Sequence, residues 1–154
     1  MADGRVHQHE VIEHPGSVVI LPMVAADRVC LIENFRIAVG QTLLELPAGT
    51  IENQDDPGET AHRELIEETG YRAGKWEKLA EFFVSPGILR ERMHLYLATE
   101  MQVGPTALES GEEIRSKVVS WDEAMRLVET GAVQDAKTLI GLLTYDRLRR
   151  ERRA

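Results

Sequence analysis

The chain of 154 residues carries 26 acidic side chains against 18 basic ones, and the resulting net charge of −8 disfavours broad binding to nucleic acids. Its hydrophobic share of 43% and charged share of 29% are those of an ordinary soluble globule, without an apolar run long enough to cross a membrane. The length fits one domain, 1–154. A single cysteine, Cys30, excludes an internal disulfide and favours the cytoplasm.

Strands are predicted in the first third of the chain. HEVIEH and SVVILPM are predicted to lie on either side of a turn at Pro15 and Gly16. The apolar run from Val18 to Leu21 predicts a strand that is buried on both faces. RVCLIENF is its predicted hairpin partner, and TLLELPAG is an extended run that ends in proline and glycine.

The first helix is specified at both of its ends. Asp56 is a suitable N-cap, Pro57 suits the first helical position and Glu59 can close a capping box. Gly70 suits the position just after the helix. Further strands are predicted in WEKLAEFFVS, RMHLYLATEM and EIRSKVVSW, and late helices in WDEAMRLVETG and AKTLIGLLTYDRLRRER. This order of elements predicts an α+β sandwich.

The segment RELIEETGY places three acids, Glu64, Glu67 and Glu68, on one face near the end of that helix. Their mutual repulsion and the negative end of the helix dipole both oppose this arrangement, so local stability does not explain it. No lysine lies between Gly49 and Tyr71 to offset the charge. Two interpretations remain, a solvated acidic face and a site for a hard divalent cation such as Mg²⁺, which prefers oxygen ligands.

The spacing from Gly49 onward resembles the Nudix box, G-x5-E-x7-R-E-U-x-E-E-x-G-U, in which U is a bulky apolar residue. Asp55 stands where the pattern has its first glutamate, and the other eight of nine positions match, at Gly49, Arg63, Glu64, Leu65, Glu67, Glu68, Gly70 and Tyr71. The resemblance implies a Nudix fold, an α/β/α sandwich with a mixed β-sheet. It also implies hydrolysis of a nucleoside diphosphate linked to a further group.

The same resemblance implies a metal site and catalytic roles within the box. Mg²⁺, which Mn²⁺ is able to replace, would be held by Glu64, Glu67, Glu68 and the backbone carbonyl of Ala48. Arg63 would orient a box carboxylate through a charge-assisted hydrogen bond. Arg63, Glu67 and Glu68 are therefore counted among the catalytic residues. Bound Mg²⁺ would clamp phosphate oxygens, lower the pKa of an attacking water and stabilise the leaving phosphate.

Outside the box, LLELPAGTIE, FFVSPGILRERMHLYLA and GEEIRSKVVSWDEA resemble the ADP-ribose pyrophosphatase branch of the family, over about His9 to Leu143. In that branch a glutamate of a mobile loop before a late strand acts as the catalytic base. The corresponding loop here is LESGEEI. Glu112 matches best, and Glu113 and Glu109 are the alternatives.

Three substrate-binding residues are also implied by the resemblance to this branch. Arg36, in ENFR, would hold a phosphate or ribose edge, although a surface ion pair with Glu33 is an alternative. Glu45, in LELPAG, would contact the adenine or its ribose. Glu91, which follows the SPG loop, would assist near the metals.

The implied reaction is the Mg²⁺-dependent hydrolysis of ADP-ribose to AMP and ribose 5-phosphate. Another nucleotide sugar or a dinucleoside polyphosphate is the alternative substrate, and a nucleotide-sensing module without catalysis is the alternative of another class. Longer members of the branch exchange an N-terminal strand domain across a dimer. The first predicted strand here begins at His9, so that domain is expected to be missing, while a homodimer through the remaining surfaces is still implied.

Overall fold

The computed structural model describes residues 8–52, 54–104 and 114–152. The elements in chain order are β1 (Ile12–Glu13), β2 (Ser17–Ala25), β3 (Arg28–Arg36), β4 (Gln41–Glu45), β5 (Ala48–Thr50), α1 (Pro57–Thr69), β6 (Tyr71–Phe83), β7 (Leu89–Arg90), β8 (Arg92–Val103), β9 (Arg115–Ser120), α2 (Trp121–Glu129) and α3 (Ala136–Glu151). Within the described ranges, no helix combines the length and the apolar character that a membrane span requires.

Strand β2 is the centre of the main sheet because three other strands pair with it. One edge runs parallel to β8, and the other pairs antiparallel with β5 at Ser17–Val19 and with β3 near Met23. Strand β6 adds antiparallel to β8, while β4 and β9 pair antiparallel with β3. The sheet is therefore mixed, as predicted, and β2 holds both β5 and β3 in place.

The two faces of β2 contribute to two separate cores. Successive side chains of a strand point to opposite faces. Val18 and Ile20 pack in the core beneath α1, whereas Val19 and Leu21 pack in the core that α2 and α3 cover. All four side chains are fully buried, which confirms the prediction for this strand. Each such burial stabilises the fold by about 1.5–3 kcal/mol.

Three predicted segments differ from the observed elements. HEVIEH forms only the two residues of β1, because its pairing with β7 extends over just Ile12 and Glu13. TLLELPAG divides into β4 and β5 at Pro47, because Glu45 pairs with β3 while Ala48 pairs with β2. The strand predicted in WEKLAEFFVS begins earlier, at Tyr71, because its pairing with β8 extends to the end of α1.

Both ends of α1 are capped as the sequence predicts. The Asp56 carboxylate accepts hydrogen bonds from the backbone N–H groups of Gly58 and Glu59, at 2.8 and 3.3 Å. Pro57 occupies the first turn, and Gly70 ends the helix in the left-handed conformation at φ 74°. The caps fix where the helix begins and ends, and thereby the direction in which its glutamates point.

The one cysteine lies in the core, on β3. Cys30 is fully buried, and burial raises the pKa of its thiol to about 12. The side chain therefore stays protonated and acts as a small apolar group, which is the role that the sequence indicated.

Replacing the N-cap by Asp56→Ala should lower the free energy of unfolding by about 1 kcal/mol, because two backbone N–H groups lose their acceptor. Urea unfolding followed by circular dichroism measures the change. Asp55→Ala is the matched control, since that neighbouring aspartate is exposed and should change the value by less than about 0.5 kcal/mol. Equal losses in the two variants would contradict the capping role of Asp56.

Candidate active site

The three box glutamates lie side by side on α1, facing strand β5. Glu68 is buried, with 5% exposure, and the side chains of Glu64 and Glu67 are largely covered. The backbone of Gly49 passes so close to Glu64 that a Cβ atom there would lie 2.0 Å from the carboxyl carbon. A side chain at this position would therefore force the flexible end of the Glu64 side chain to move.

Arg63 holds two of these carboxylates. Its guanidinium lies 2.8 Å from Glu64 and donates a hydrogen bond of 2.7 Å to Glu67. Burial alone would lower the pKa of Arg63, but the charges of Glu64 and Glu67 outweigh this effect, and the pKa is raised above its ordinary value. The guanidinium stays charged and offsets part of the repulsion between the acids.

The third carboxylate contacts the backbone of β5. The N–H of Ala48 donates to Glu68 at 3.0 Å. Ala48 stands opposite Val19, and the N–H of Ile20 donates to the carbonyl of Pro47 at 2.8 Å. Ala48 and Val19 are therefore a non-hydrogen-bonded pair of the antiparallel ladder. In such a pair the N–H and C=O of Ala48 point away from β2. The carbonyl of Ala48 thus faces the same side as Glu68.

These groups line a cleft of about 230 Å³ between β5 and α1, with ten residues in its wall: Asn34, Arg36, Ala48, Gly49, Thr50, Glu52, Arg63, Glu64, Glu67 and Glu68. We call this the carboxylate cleft. Asp55, the residue that departs from the box pattern, is absent from this lining. Glu52 is a further acid of the cleft that the sequence did not single out.

The donor set of the carboxylate cleft fits a hard divalent cation. Carboxylate and carbonyl oxygens are the ligands that Mg²⁺ prefers, and Gly49 leaves room for Glu64 beside them. Among the described residues, no three His, Cys, Asp or Glu side chains are already grouped closely enough to hold a metal ion. Arg63 spaces Glu64 from Glu67, so these side chains would have to turn to converge on an ion.

A second cavity of about 500 Å³ adjoins the carboxylate cleft. We call it the adjoining cavity. Arg36, Ala48, Gly49 and Thr50 line both spaces, so Arg36 stands at their junction. Lys137, on the first turn of α3, adds a second cation to the wall of the adjoining cavity. A molecule with an anionic centre and a larger organic part could extend from one space into the other.

Arg36 pairs with Glu45 rather than with Glu33. Its Nε and Nη2 atoms donate to the two carboxylate oxygens of Glu45, each at 2.7 Å. These hydrogen bonds raise the pKa of the Arg36 guanidinium against the opposing effect of burial. Glu33 instead lies 4.0 Å from Lys117. Two of the three residues that the resemblance implied for substrate binding are therefore in contact with each other.

Glu91 lies in the wall of the adjoining cavity, where the hydroxyl of Ser17 donates to it at 2.6 Å. His14 lies 3.7 Å from the same carboxylate. The candidates for the catalytic base, Glu112 with its alternatives Glu113 and Glu109, lie outside the described residues.

The sequence did not indicate Lys137 as part of the site. It is the second residue of the predicted last helix, and its contact with Glu45 joins residues that are 92 positions apart. Asp135 caps α3, because its carboxylate accepts the N–H of Thr138. An aspartate just before a helix is a local signal that the sequence does contain. The position of the lysine depends on the packing of α3 against the sheet.

Comparisons with known proteins agree on one family. The family model described as "NUDIX domain" matches residues 13–142. An ADP-ribose pyrophosphatase from Bacillus subtilis is 36% identical over 140 residues, which cover 90% of this chain and 76% of that protein. A GDP-mannose pyrophosphatase from Escherichia coli O1:K1 is 34% identical over 157 aligned residues, covering 93% of this chain and 80% of that protein.

A solved structure supports the fold. The crystal structure of an ADP compounds hydrolase superposes with a TM-score of 0.79 at 21% sequence identity, and the match covers 91% of this chain and 74% of that one. At this level of identity the likeness concerns the fold, and it agrees with the predicted sandwich of helices about a mixed sheet.

Gly49→Ala should leave the chain folded but displace Glu64, because the added methyl group meets the flexible end of that side chain. Affinity for Mn²⁺, titrated by electron paramagnetic resonance, should fall by at least about tenfold, a loss of about 1.4 kcal/mol. The control is Gly87→Ala, where a Cβ meets nothing within 4 Å. Unchanged Mn²⁺ affinity in Gly49→Ala would contradict a role of Glu64 as a metal ligand.

Proposed function

This chain belongs to the NUDIX domain family, and from that premise we propose that it is a Mg²⁺-dependent hydrolase of a nucleoside diphosphate derivative, with ADP-ribose as the leading substrate. Water would attack one phosphorus atom, the bridging P–O bond would break, and the products would be AMP and ribose 5-phosphate. The observation that supports this most directly is the junction at Arg36, where a carboxylate cleft suited to a cation meets a larger cavity.

The metal is proposed to lie in the carboxylate cleft, held by Glu64, Glu67, Glu68 and the carbonyl of Ala48. When bound, it would offset phosphate charge and lower the pKa of the attacking water. Arg63 keeps Glu64 and Glu67 on one side of the cleft, and Ala48 keeps Glu68 against β5. These contacts hold the carboxylates at the wall of the cleft, and Glu64 and Glu67 would turn from Arg63 to converge on the ion.

The substrate is proposed to lie across the junction with its diphosphate near Arg36. A guanidinium has more N–H groups than its two bonds to Glu45 use, so Arg36 can still donate to a phosphate oxygen. Glu91 is proposed to act from the adjoining cavity, close to the metals. The similarity to an ADP-ribose pyrophosphatase favours ADP-ribose, and the similarity to a GDP-mannose pyrophosphatase makes another nucleotide sugar the second candidate.

The catalytic base is proposed to be Glu112, with Glu113 and Glu109 as alternatives. A carboxylate near the attacking water can accept its proton. The homodimer and the cytoplasmic location remain predictions of the same proposal, and neither nucleic acid nor a membrane is proposed as a partner. The retained glutamates argue against a module that only senses nucleotides, because such a module has no need for three adjacent acids that repel one another.

The function is tested with a panel of ADP-ribose, GDP-mannose and a dinucleoside polyphosphate, assayed for released monophosphate by chromatography. We expect ADP-ribose to be hydrolysed fastest, with activity lost in EDTA and restored by Mg²⁺ or Mn²⁺. A higher kcat/KM for GDP-mannose than for ADP-ribose would make GDP-mannose the proposed substrate instead. Tight binding of ADP-ribose without any product would favour the sensing module.

Glu68→Gln should lower kcat by at least about 100-fold, or about 2.7 kcal/mol in activation free energy, because the neutral amide is a poor ligand for a divalent cation. The fold should persist, because the amide oxygen can still accept the N–H of Ala48. Glu59→Gln makes the same chemical change on an exposed residue of α1 and should retain full activity. A loss of less than about tenfold in Glu68→Gln would remove Glu68 from the metal site.

A further inference from the structure

Four charged side chains form one connected cluster beside the junction of the two cavities. Glu45 accepts hydrogen bonds from Arg36 through both oxygens, and its Oε2 atom also accepts from the ammonium of Lys137. Lys137 lies 3.0 Å from Asp135, the N-cap of α3. We call these four residues the junction cluster.

The junction cluster is buried except at one end. The side chains of Glu45, Lys137 and Asp135 are 1%, 10% and 17% exposed, whereas that of Arg36 is 44% exposed. Arg36 is also the member that lines the carboxylate cleft as well as the adjoining cavity. The cluster therefore presents one cation, the guanidinium of Arg36, to the space where the two cavities meet.

Stability alone does not account for the junction cluster. The cost of removing charges from water commonly cancels the attraction within a buried ion pair, and apolar side chains of similar volume are often at least as stabilising. Thr138 already links α3 to the sheet, because its hydroxyl accepts the N–H of Leu46 at 2.8 Å. An additional buried lysine is not required for that attachment.

The charges at Glu45 indicate what the lysine contributes. With Arg36 as its only partner, Glu45 would neutralise the guanidinium, and the pair would attract an anion weakly. Lys137 binds the same oxygen as Arg36 and also lies 3.0 Å from Asp135, so the four groups together carry no net charge, whereas without Lys137 they would carry a net negative charge. Electrostatic interactions are stronger in such a partly buried place than in water.

We propose that Lys137 is a positioning residue that acts through Glu45, sharing its carboxylate so that Arg36 keeps positive charge for an anionic substrate. In this arrangement Glu45 does not itself contact the adenine or ribose; it fixes the guanidinium from behind with both oxygens. The inference rests on the proposed function, because it requires that a diphosphate lies at the junction of the cavities.

The test is a cycle of four proteins: the parent, Lys137→Met, Glu45→Gln and the double variant. The affinity of each for ADP-ribose is measured by calorimetry in EDTA, so that binding is observed without turnover. We expect Lys137→Met to bind about tenfold more weakly than the parent, because Glu45 then neutralises Arg36. In the Glu45→Gln background the same change should cost less than about threefold, because the carboxylate that Arg36 and Lys137 share is then a neutral amide.

The controls separate charge from folding and from general electrostatics. Lys137→Arg retains the charge and should stay within about threefold of the parent affinity. Lys78→Met removes a lysine that pairs with Glu81, away from both cavities, and should bind like the parent. Thermal unfolding verifies that each variant is folded. If Lys137→Met does not fold, Glu45→Gln and Glu45→Gln/Lys137→Met are compared instead, and their affinities still test the inference. Both variants carry a neutral amide at position 45, so neither leaves a buried charge without its lysine partner.

Several results would overturn the inference. If Lys137→Met lowers the affinity for ADP-ribose equally in both backgrounds, the lysine contacts the ligand directly. A more than threefold difference in affinity between Glu45→Gln and Glu45→Gln/Lys137→Met would have the same meaning. An unchanged affinity in Lys137→Met would leave only a structural role. Absence of ADP-ribose binding by the parent would also refute it. Binding without turnover in Mg²⁺ would refute the proposed function instead, while the cycle would still test the positioning role.

Discussion

The close approach of β5 to α1 is the constraint on which the candidate site depends. Ala48 donates its N–H to Glu68, and the backbone of Gly49 lies against the end of the Glu64 side chain, which an added Cβ atom would displace. Strand β5 can hold that position because β2 pairs with it, and α1 can hold its own because it packs on the buried face of β2. The core thus brings a strand edge and an acidic helix face together.

The acidic face of α1 illustrates how the fold sustains an arrangement that local energetics oppose. Repulsion between like charges on neighbouring helical positions costs a few tenths of a kcal/mol per pair. Burial of a single side chain such as Leu65 in the core beneath the helix contributes about 1.5–3 kcal/mol. Arg63 reduces the repulsion further by contacting both Glu64 and Glu67. The acids are kept together because packing and one guanidinium outweigh their repulsion.

The opposite side of the site has the complementary charge. Arg36 and Lys137 bring two cations to the wall of the adjoining cavity, although the chain as a whole carries a net charge of −8. Both contact the buried carboxylate of Glu45, and Lys137 also contacts Asp135, so the guanidinium of Arg36 is the exposed charged group at the junction. An acidic protein can in this way offer an anionic ligand a local positive region while the carboxylate cleft beside it is suited to a cation.

The sequence by itself determined the features that depend on neighbouring residues. The caps at Asp56 and Gly70, the shared face of the glutamates and the two-sided burial of β2 follow from helix and strand periodicity and from the geometry of a few adjacent positions. The spacing of the box residues also indicated the family to which the chain belongs. Only the tertiary structure decided that Pro47 separates β4 from β5, that Arg36 pairs with Glu45, and that Lys137 joins them across 92 positions. Such contacts have no local pattern, because they arise only where sheet pairing and helix packing bring distant parts of the chain into one wall.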